Sequence, residues 1–204
     1  MLRNLPSSRL TIGLLGGSFN PAHEGHLHIS LWAMRQLQLD EVWWLVSPQN
    51  PLKSKKDMAS FARRFDSATH WAQHPRVKVS DAEVQLGTQY TADTIKKLQQ
   101  RYPNVRFVWL MGADNWRQFH RWNGWRQIAA TVPIAIAERT PDVLACQWAP
   151  AALSLRGRRR TSKSLVGSDL PAWTVLTLPR HPVSATELRK KLGKEAFLRH
   201  NKVK

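Results

Sequence analysis

The chain has 204 residues, enough for one well-packed α/β domain and too few for two full ones. Its 31 Lys and Arg against 14 Asp and Glu give a net charge of +17, a surplus that attracts polyanions without choosing between nucleic acid, acidic membrane and phosphorylated small molecules. A hydrophobic content of 42% with ten Trp argues for a real core and against a disordered chain. The single cysteine, Cys146, excludes an intrachain disulfide and an all-cysteine metal site, which points to a reducing, cytoplasmic setting. No apolar run approaches the ~20 residues that span a bilayer, so no membrane association is expected.

In chain order, Leu10–Leu15 is a short apolar run ending at a glycine pair, as a buried parallel strand does. Met1-Leu2-Arg3 and this run lack the cleavage site of a signal peptide. Leu27, Leu31, Met34 and Leu37 recur at helical spacing from about Gly25 to Leu39, and Val42–Val46 is a second apolar strand stopped by Ser47-Pro48. This is a βαβ unit. The alternation continues with a helix over Met58–Gln73, a strand over Arg76–Ser80, a helix over Thr91–Arg101 and a strand over Val105–Met111. A helix over Trp122–Ala130, a strand over Val132–Ala137, a last strand at Val175–Leu178 and a terminal helix at Ala185–Lys191 complete the series. Repeated βα pairs predict a doubly wound, mostly parallel sheet of Rossmann-like type. Residues 1–204 read as a single domain, with Pro141–Leu170 a long basic loop or insertion carrying Arg156, Arg158, Arg159, Arg160 and Lys163. These arginines read as a solvated charge run, because no aromatic residues interleave them as on a nucleic-acid platform.

Open parallel sheets bind ligands beyond the carboxyl ends of their strands. The first such loop reads Gly16-Gly17-Ser18-Phe19-Asn20-Pro21-Ala22-His23-Glu24-Gly25-His26. Its glycines let backbone approach a ligand closely, and the following helix presents unpaired N–H groups and a positive dipole end. His23 and His26 could donate hydrogen bonds to phosphate oxygens. Zinc-protease, Walker A and dinucleotide patterns all fail here on spacing. For either histidine alone, capping a helix is the simpler reading.

The whole string resembles the ATP-binding signature of the nucleotidyltransferase superfamily, in which a His-x-Gly-His pair holds the triphosphate. Val183-Ser184-Ala185-Thr186-Glu187-Leu188-Arg189 resembles that superfamily's second signature, with Val in place of Ile. The resemblance implies ATP contacts at Gly16, Gly17, Ser18, Phe19, Gly112, Asp114, Ser184 and Thr186. It implies catalytic roles for His23, His26 and Arg189. The segments Trp44–Lys53, Tyr90–Thr94, Gly112–Asn115, Phe119–Trp122 and Glu138–Pro141 are similar, in order, to the nicotinate-mononucleotide adenylyltransferases within it. The acceptor is then nicotinate mononucleotide, with Trp122 stacking on the pyridine ring and Thr91 meeting the carboxylate. Lys53 and Arg139 are expected at phosphates. Mg2+ is expected to arrive with ATP, as the chain shows no carboxylate cage of its own.

Three alternatives stay open at this level. The same chemistry could act on nicotinamide mononucleotide or phosphopantetheine. A basic RNA-binding module would make the histidine string incidental. Thr161-Ser162-Lys163-Ser164 superficially resembles a loop of class I aminoacyl-tRNA synthetases, but the chain is short for an anticodon-binding domain. The oligomeric state is not legible.

Overall fold

The structure is a computed structural model and describes residues 9–48, 58–138 and 143–179. The described residues form a six-stranded, all-parallel sheet in the order β3-β2-β1-β4-β5-β6. The strands are β1 (Thr11–Gly17), β2 (Glu41–Val46), β3 (Val77–Ser80), β4 (Arg106–Gly112), β5 (Ile134–Glu138) and β6 (Trp173–Thr177). The chain winds outward from β1 on one side, then returns and winds outward from β4 on the other. The switch point therefore lies between β1 and β4, which pair directly, with Leu14 opposite Trp109 and Leu15 opposite Leu110. Both neighbours of β1 are parallel strands, so its backbone groups are paired on both sides and its side chains must be apolar on both faces.

The period of two along a strand sends successive side chains to opposite faces, and the adjacent tryptophans of β2 show it. Trp43 joins one core with Ile12, Leu14, Ile95 and Trp116. Trp44 joins the other with Leu15, Ile29, Met34 and Val108. The helices that cover these faces are α1 (Glu24–Leu37), α2 (Phe61–Trp71), α3 (Ala82–Gln85), α4 (Thr91–Arg101), α5 (Ala113–Gln118), α6 (Trp125–Thr131), α7 (Val143–Gln147) and α8 (Pro150–Ser154). None of the described helices is long and apolar enough to cross a membrane.

Three expectations need correction. The helix expected over Trp122–Ala130 starts at Trp125. Trp122 follows a 3-10 turn at Phe119–Arg121 in extended backbone, because Gly124 adopts φ +66° and breaks the helix before it can include Trp122. The segment 141–170 is not simply a loop, since its described part holds α7, α8 and a 3-10 turn at Leu165–Gly167. Cys146, Ala151 and Leu165 are all wholly buried, so short apolar anchors tie a charged segment down where periodicity is too brief to read. The short helices α3 and α5 also went unread, at four and six residues each. The terminal helix expected at Ala185–Lys191 lies outside the described residues.

Candidate active site

β1 ends in the glycine pair, and Gly16 is dictated by space. A Cβ there would lie 2.5 Å from Cη2 and 2.7 Å from Cζ2 of Trp109, whose ring lies against the backbone across the β1–β4 pairing. The chain then turns through Phe19, a non-glycine residue at φ +46°. The Phe19 ring is buried, stacked on Trp44 at 5.2 Å and tilted against His26 at 4.8 Å. It packs in the core beneath the loop with Trp44 and Ile29.

His23 and His26 are brought together with ring centroids 4.0 Å apart. His23 is the N-cap of α1. Its Nδ1 accepts the Gly25 N–H at 3.1 Å, while His26 Nδ1 accepts the His23 N–H at 3.2 Å. This reciprocal arrangement is a capping box built from two imidazoles. The capping reading of these histidines is therefore correct, and it carries a chemical consequence. A ring nitrogen that accepts a hydrogen bond holds no proton, so each neutral ring keeps its proton on Nε2 and can donate from there. His26 is further fixed through its carbonyl, which accepts from Ser30 Oγ at 2.9 Å, and Ser30 Oγ accepts from Trp44 Nε1 at 2.7 Å.

Beside this loop lies a cleft of about 310 Å³, lined by Gly16, Gly17, Ser18, Ser47, Glu83, Gln89, Tyr90, Thr91, Trp109, Asn115, Arg121, Trp122 and Asn123. Its walls are thus the ends of β1 and β2, the region from α3 to the start of α4, and the loop around Trp122. Trp122 is half-buried, set edge-on to Trp109 at 6.2 Å and to Phe119 at 5.5 Å. Thr91 is the first residue of α4, and neither it nor Tyr90 makes a side-chain cap there. Its hydroxyl is therefore not committed to capping its helix. Trp109 Nε1 is buried with no hydrogen-bond partner among the described residues, an orphan donor in a residue that lines the cleft.

Of the residues named from sequence, Gly16, Gly17, Ser18, Thr91 and Trp122 share this cleft. His23 and His26 stand at the adjoining loop and helix N-terminus. Gly112 caps α5, and a Cβ on it would meet Asp114 Oδ1 at 2.5 Å, so glycine there lets the carboxylate fold back over its own helix start. Asp114 itself is exposed and does not line the cleft. Lys53, Arg139, Ser184, Thr186 and Arg189 lie outside the described residues.

Two residues that shape the site are among those the sequence reading did not single out. Arg64, only 1% exposed, donates from Nη1 to the carbonyls of Ser18 (2.7 Å) and Ser47 (2.6 Å), from Nη2 to Pro48 (2.9 Å) and from Nε to Ala59 (3.0 Å). It ties the loop after β1 to the loop after β2. Burial lowers its pKa from the ordinary arginine value, yet a guanidinium remains charged at any working pH. A cation consequently lies directly behind the two loops. The signal was legible: Phe61, Arg64, Phe65 and Ala68 fall at i, i+3, i+4 and i+7, which puts an arginine on the apolar stripe of α2. The second is Glu83, buried in the cleft wall, whose carboxyl is pushed up to about 7 by burial and drawn back only partly by a hydrogen bond from the Ser47 side chain.

An all-parallel sheet in the 3-2-1-4-5-6 order, with a glycine–histidine loop at its switch point, defines a nucleotide-binding α/β protein. The chain belongs to the cytidylyltransferase-like family, whose model matches residues 14–191. More particularly, it is 50% identical over 194 residues to a probable nicotinate-nucleotide adenylyltransferase of Parvibaculum lavamentivorans, covering 94% of this chain and 96% of that one. It is 48% identical over 183 residues to a protein of the same description from Caulobacter, covering 88% and 97%. The fold is also that of the Plasmodium falciparum nicotinic acid mononucleotide adenylyltransferase complexed with NaAD. There the TM-score is 0.69 at 19% identity, over 91% of this chain and 85% of that one.

Proposed function

We propose that this chain transfers the adenylyl group of ATP to nicotinate mononucleotide, giving nicotinate adenine dinucleotide and pyrophosphate. The observation that carries this reading is the pairing of a doubly capped imidazole loop with an aromatic cleft at one switch point, in a chain half identical to probable nicotinate-nucleotide adenylyltransferases over nearly its whole length. Residues 1–204 are taken as one such domain, working in the cytoplasm as a step of NAD biosynthesis.

The acceptor phosphate attacks the α-phosphorus of ATP. A P–O bond forms to the acceptor, the bond from the α-phosphorus to the bridging oxygen breaks, and pyrophosphate leaves with that electron pair. An anionic attacker needs no general base, so catalysis reduces to positioning and charge stabilisation. The Nε2–H groups of His23 and His26 would donate to phosphate oxygens, supported by their Nδ1 caps. The glycine pair would let the triphosphate lie against backbone, and the buried cation of Arg64 adds a favourable field behind both loops. In this reading Ser184, Thr186 and Arg189 close over the triphosphate, and Lys53 and Arg139 meet phosphates. Asp114 serves the ATP ribose. Thr91 meets the nicotinate carboxylate and Trp122 stacks on the ring. Among the described residues no group of three metal-ligating side chains occurs. A divalent ion, Mg2+ in this reading, would enter as part of the nucleotide substrate.

The test is pyrophosphate release from Mg-ATP with nicotinate mononucleotide, nicotinamide mononucleotide and phosphopantetheine offered separately. Turnover with the first is expected to dominate. His26→Ala should lose about 10²-fold or more in kcat while remaining folded, as expected for removal of a preorganised donor. Preference for another acceptor would overturn the assignment. So would RNA binding of micromolar affinity in a wild type that turns over none of the three.

A further inference from the structure

Glu83 is placed where a carboxylate ought to be unwelcome. It lines the same cleft as Thr91 and Trp122 and is only 7% exposed, and its carboxyl takes a hydrogen bond from Ser47 and, among the described residues, from no cation. The charged groups around it do not neutralise it. Asp81, just before its own short helix, is engaged by Gln85. Arg64 reaches Ser47 from α2 but spends its donors on backbone carbonyls. Tyr90 and Arg121 line the same cleft, but no charged group is among the causes that set the Glu83 carboxyl. An acceptor mononucleotide brings a carboxylate and a phosphate into this small space, and two like charges held close in a poorly hydrated cleft repel strongly.

We propose that Glu83 is a specificity-determining residue of the acceptor site, acting there as an uncharged carboxylic acid that lets an anionic mononucleotide enter and takes up a proton as it binds. This rests on the reading of nicotinate mononucleotide as acceptor. The proton balance is simple: whatever fraction of Glu83 is ionised before binding must be protonated from solvent when the anion occupies the cleft. In the free protein the carboxyl titrates at about 7, so that fraction is substantial at neutral pH. The acid also presents an O–H donor, complementary to an anion, where a carboxylate presents only acceptors.

The experiment is calorimetric titration of wild type and Glu83→Gln with nicotinate mononucleotide in buffers of different ionisation enthalpy. Kd is followed in parallel over about pH 6 to about pH 8.5. The wild type should take up roughly 0.3–0.5 proton more than Glu83→Gln near neutrality, and its Kd should rise roughly tenfold more across that range. The acceptor phosphate titrates in both proteins and cancels in the difference. Equal proton uptake with parallel Kd profiles would overturn the proposal. Should Glu83→Gln fail to fold, the carboxyl carbon of glutamate-labelled wild type reports directly. Its NMR midpoint should move upward when the mononucleotide is added, and an unmoved or lowered midpoint refutes the idea. Wild type that neither binds nor turns over nicotinate mononucleotide at any pH removes the acceptor assignment and this proposal together. Turnover with parallel profiles removes this proposal alone.

Discussion

Replacing Arg64 by methionine would keep an unbranched apolar stem of similar length on the buried face of α2 and delete the guanidinium fork. Four hydrogen bonds disappear, to Ala59, Ser18, Ser47 and Pro48, at 2.6 to 3.0 Å. A hydrogen bond to a charged group contributes about 1.5–3 kcal/mol, and the four are not additive. Two effects reduce the loss. Removing the ion recovers its desolvation cost, and the carbonyls of Ser18, Ser47 and Pro48 are only partly buried, so water replaces some of the lost donors. A net destabilisation of about 2–4 kcal/mol follows, which for a domain of this size lowers Tm by roughly 5–12 °C. Because Ser18 and Ser47 sit on the cleft, their two loops should also drift apart. KM for ATP and for the acceptor should both rise in protein that is still folded at the assay temperature. Arg64→Lys, which keeps a point charge without the fork, should fall between. Thermal melts and initial-rate kinetics on the three proteins decide it. Arg64→Met melting within about 2 °C of wild type with wild-type KM values would mean that the fork does not hold these loops in solution.

Gly16→Ala places a methyl 2.5 Å from the Trp109 ring, which is 1% exposed and cannot simply retreat. About 1–3 kcal/mol of overpacking strain is expected, with a rise in acceptor KM as Trp109 presses on Trp122; calorimetric Tm and kinetics read both. Gly13→Ala, by contrast, meets the far ends of Leu110 and Leu39 at 2.8 Å and Cγ2 of Val42 at 3.3 Å, aliphatic side chains in place of an indole ring, and should be milder. Glu83 also makes a pH prediction for stability. Its folded pKa of about 7 lies above the ordinary 4.5, so the folded state binds the extra proton and wild-type stability falls as pH rises between those values. Glu83→Gln should therefore be more stable than wild type at pH ~8, by something on the order of 1–3 kcal/mol, and should lose that advantage near pH ~4, as urea titrations at each pH would show. Trp122→Ala should raise acceptor KM by about tenfold or more with little change in KM for ATP, since aromatic stacking contributes roughly 1–3 kcal/mol.

The order of strands and helices was legible because each βα pair announces itself locally. A buried parallel strand is a short apolar run, and a helix repeats its apolar positions at 3.6 residues. Thr91–Arg101 was bounded correctly to the residue, and the glycine–histidine string marked the site because loop, cap and helix start are contiguous in sequence. Sequence alone therefore determined the fold class, the place of the glycine–histidine loop and the family resemblance. The tertiary structure decided what depends on contacts between distant segments. It showed that both histidines cap α1 through Nδ1, which selects Nε2 as the nitrogen that carries the proton. It turned Arg64, one of many cations in a basic chain, into the bolt between two loops 29 residues apart in sequence, from Ser18 to Ser47. It set Glu83 in the cleft wall, where burial and not residue type fixes its proton affinity. A side chain's charge can be read from its letter, but its desolvation and its hydrogen-bond partners exist only once the chain has closed on itself.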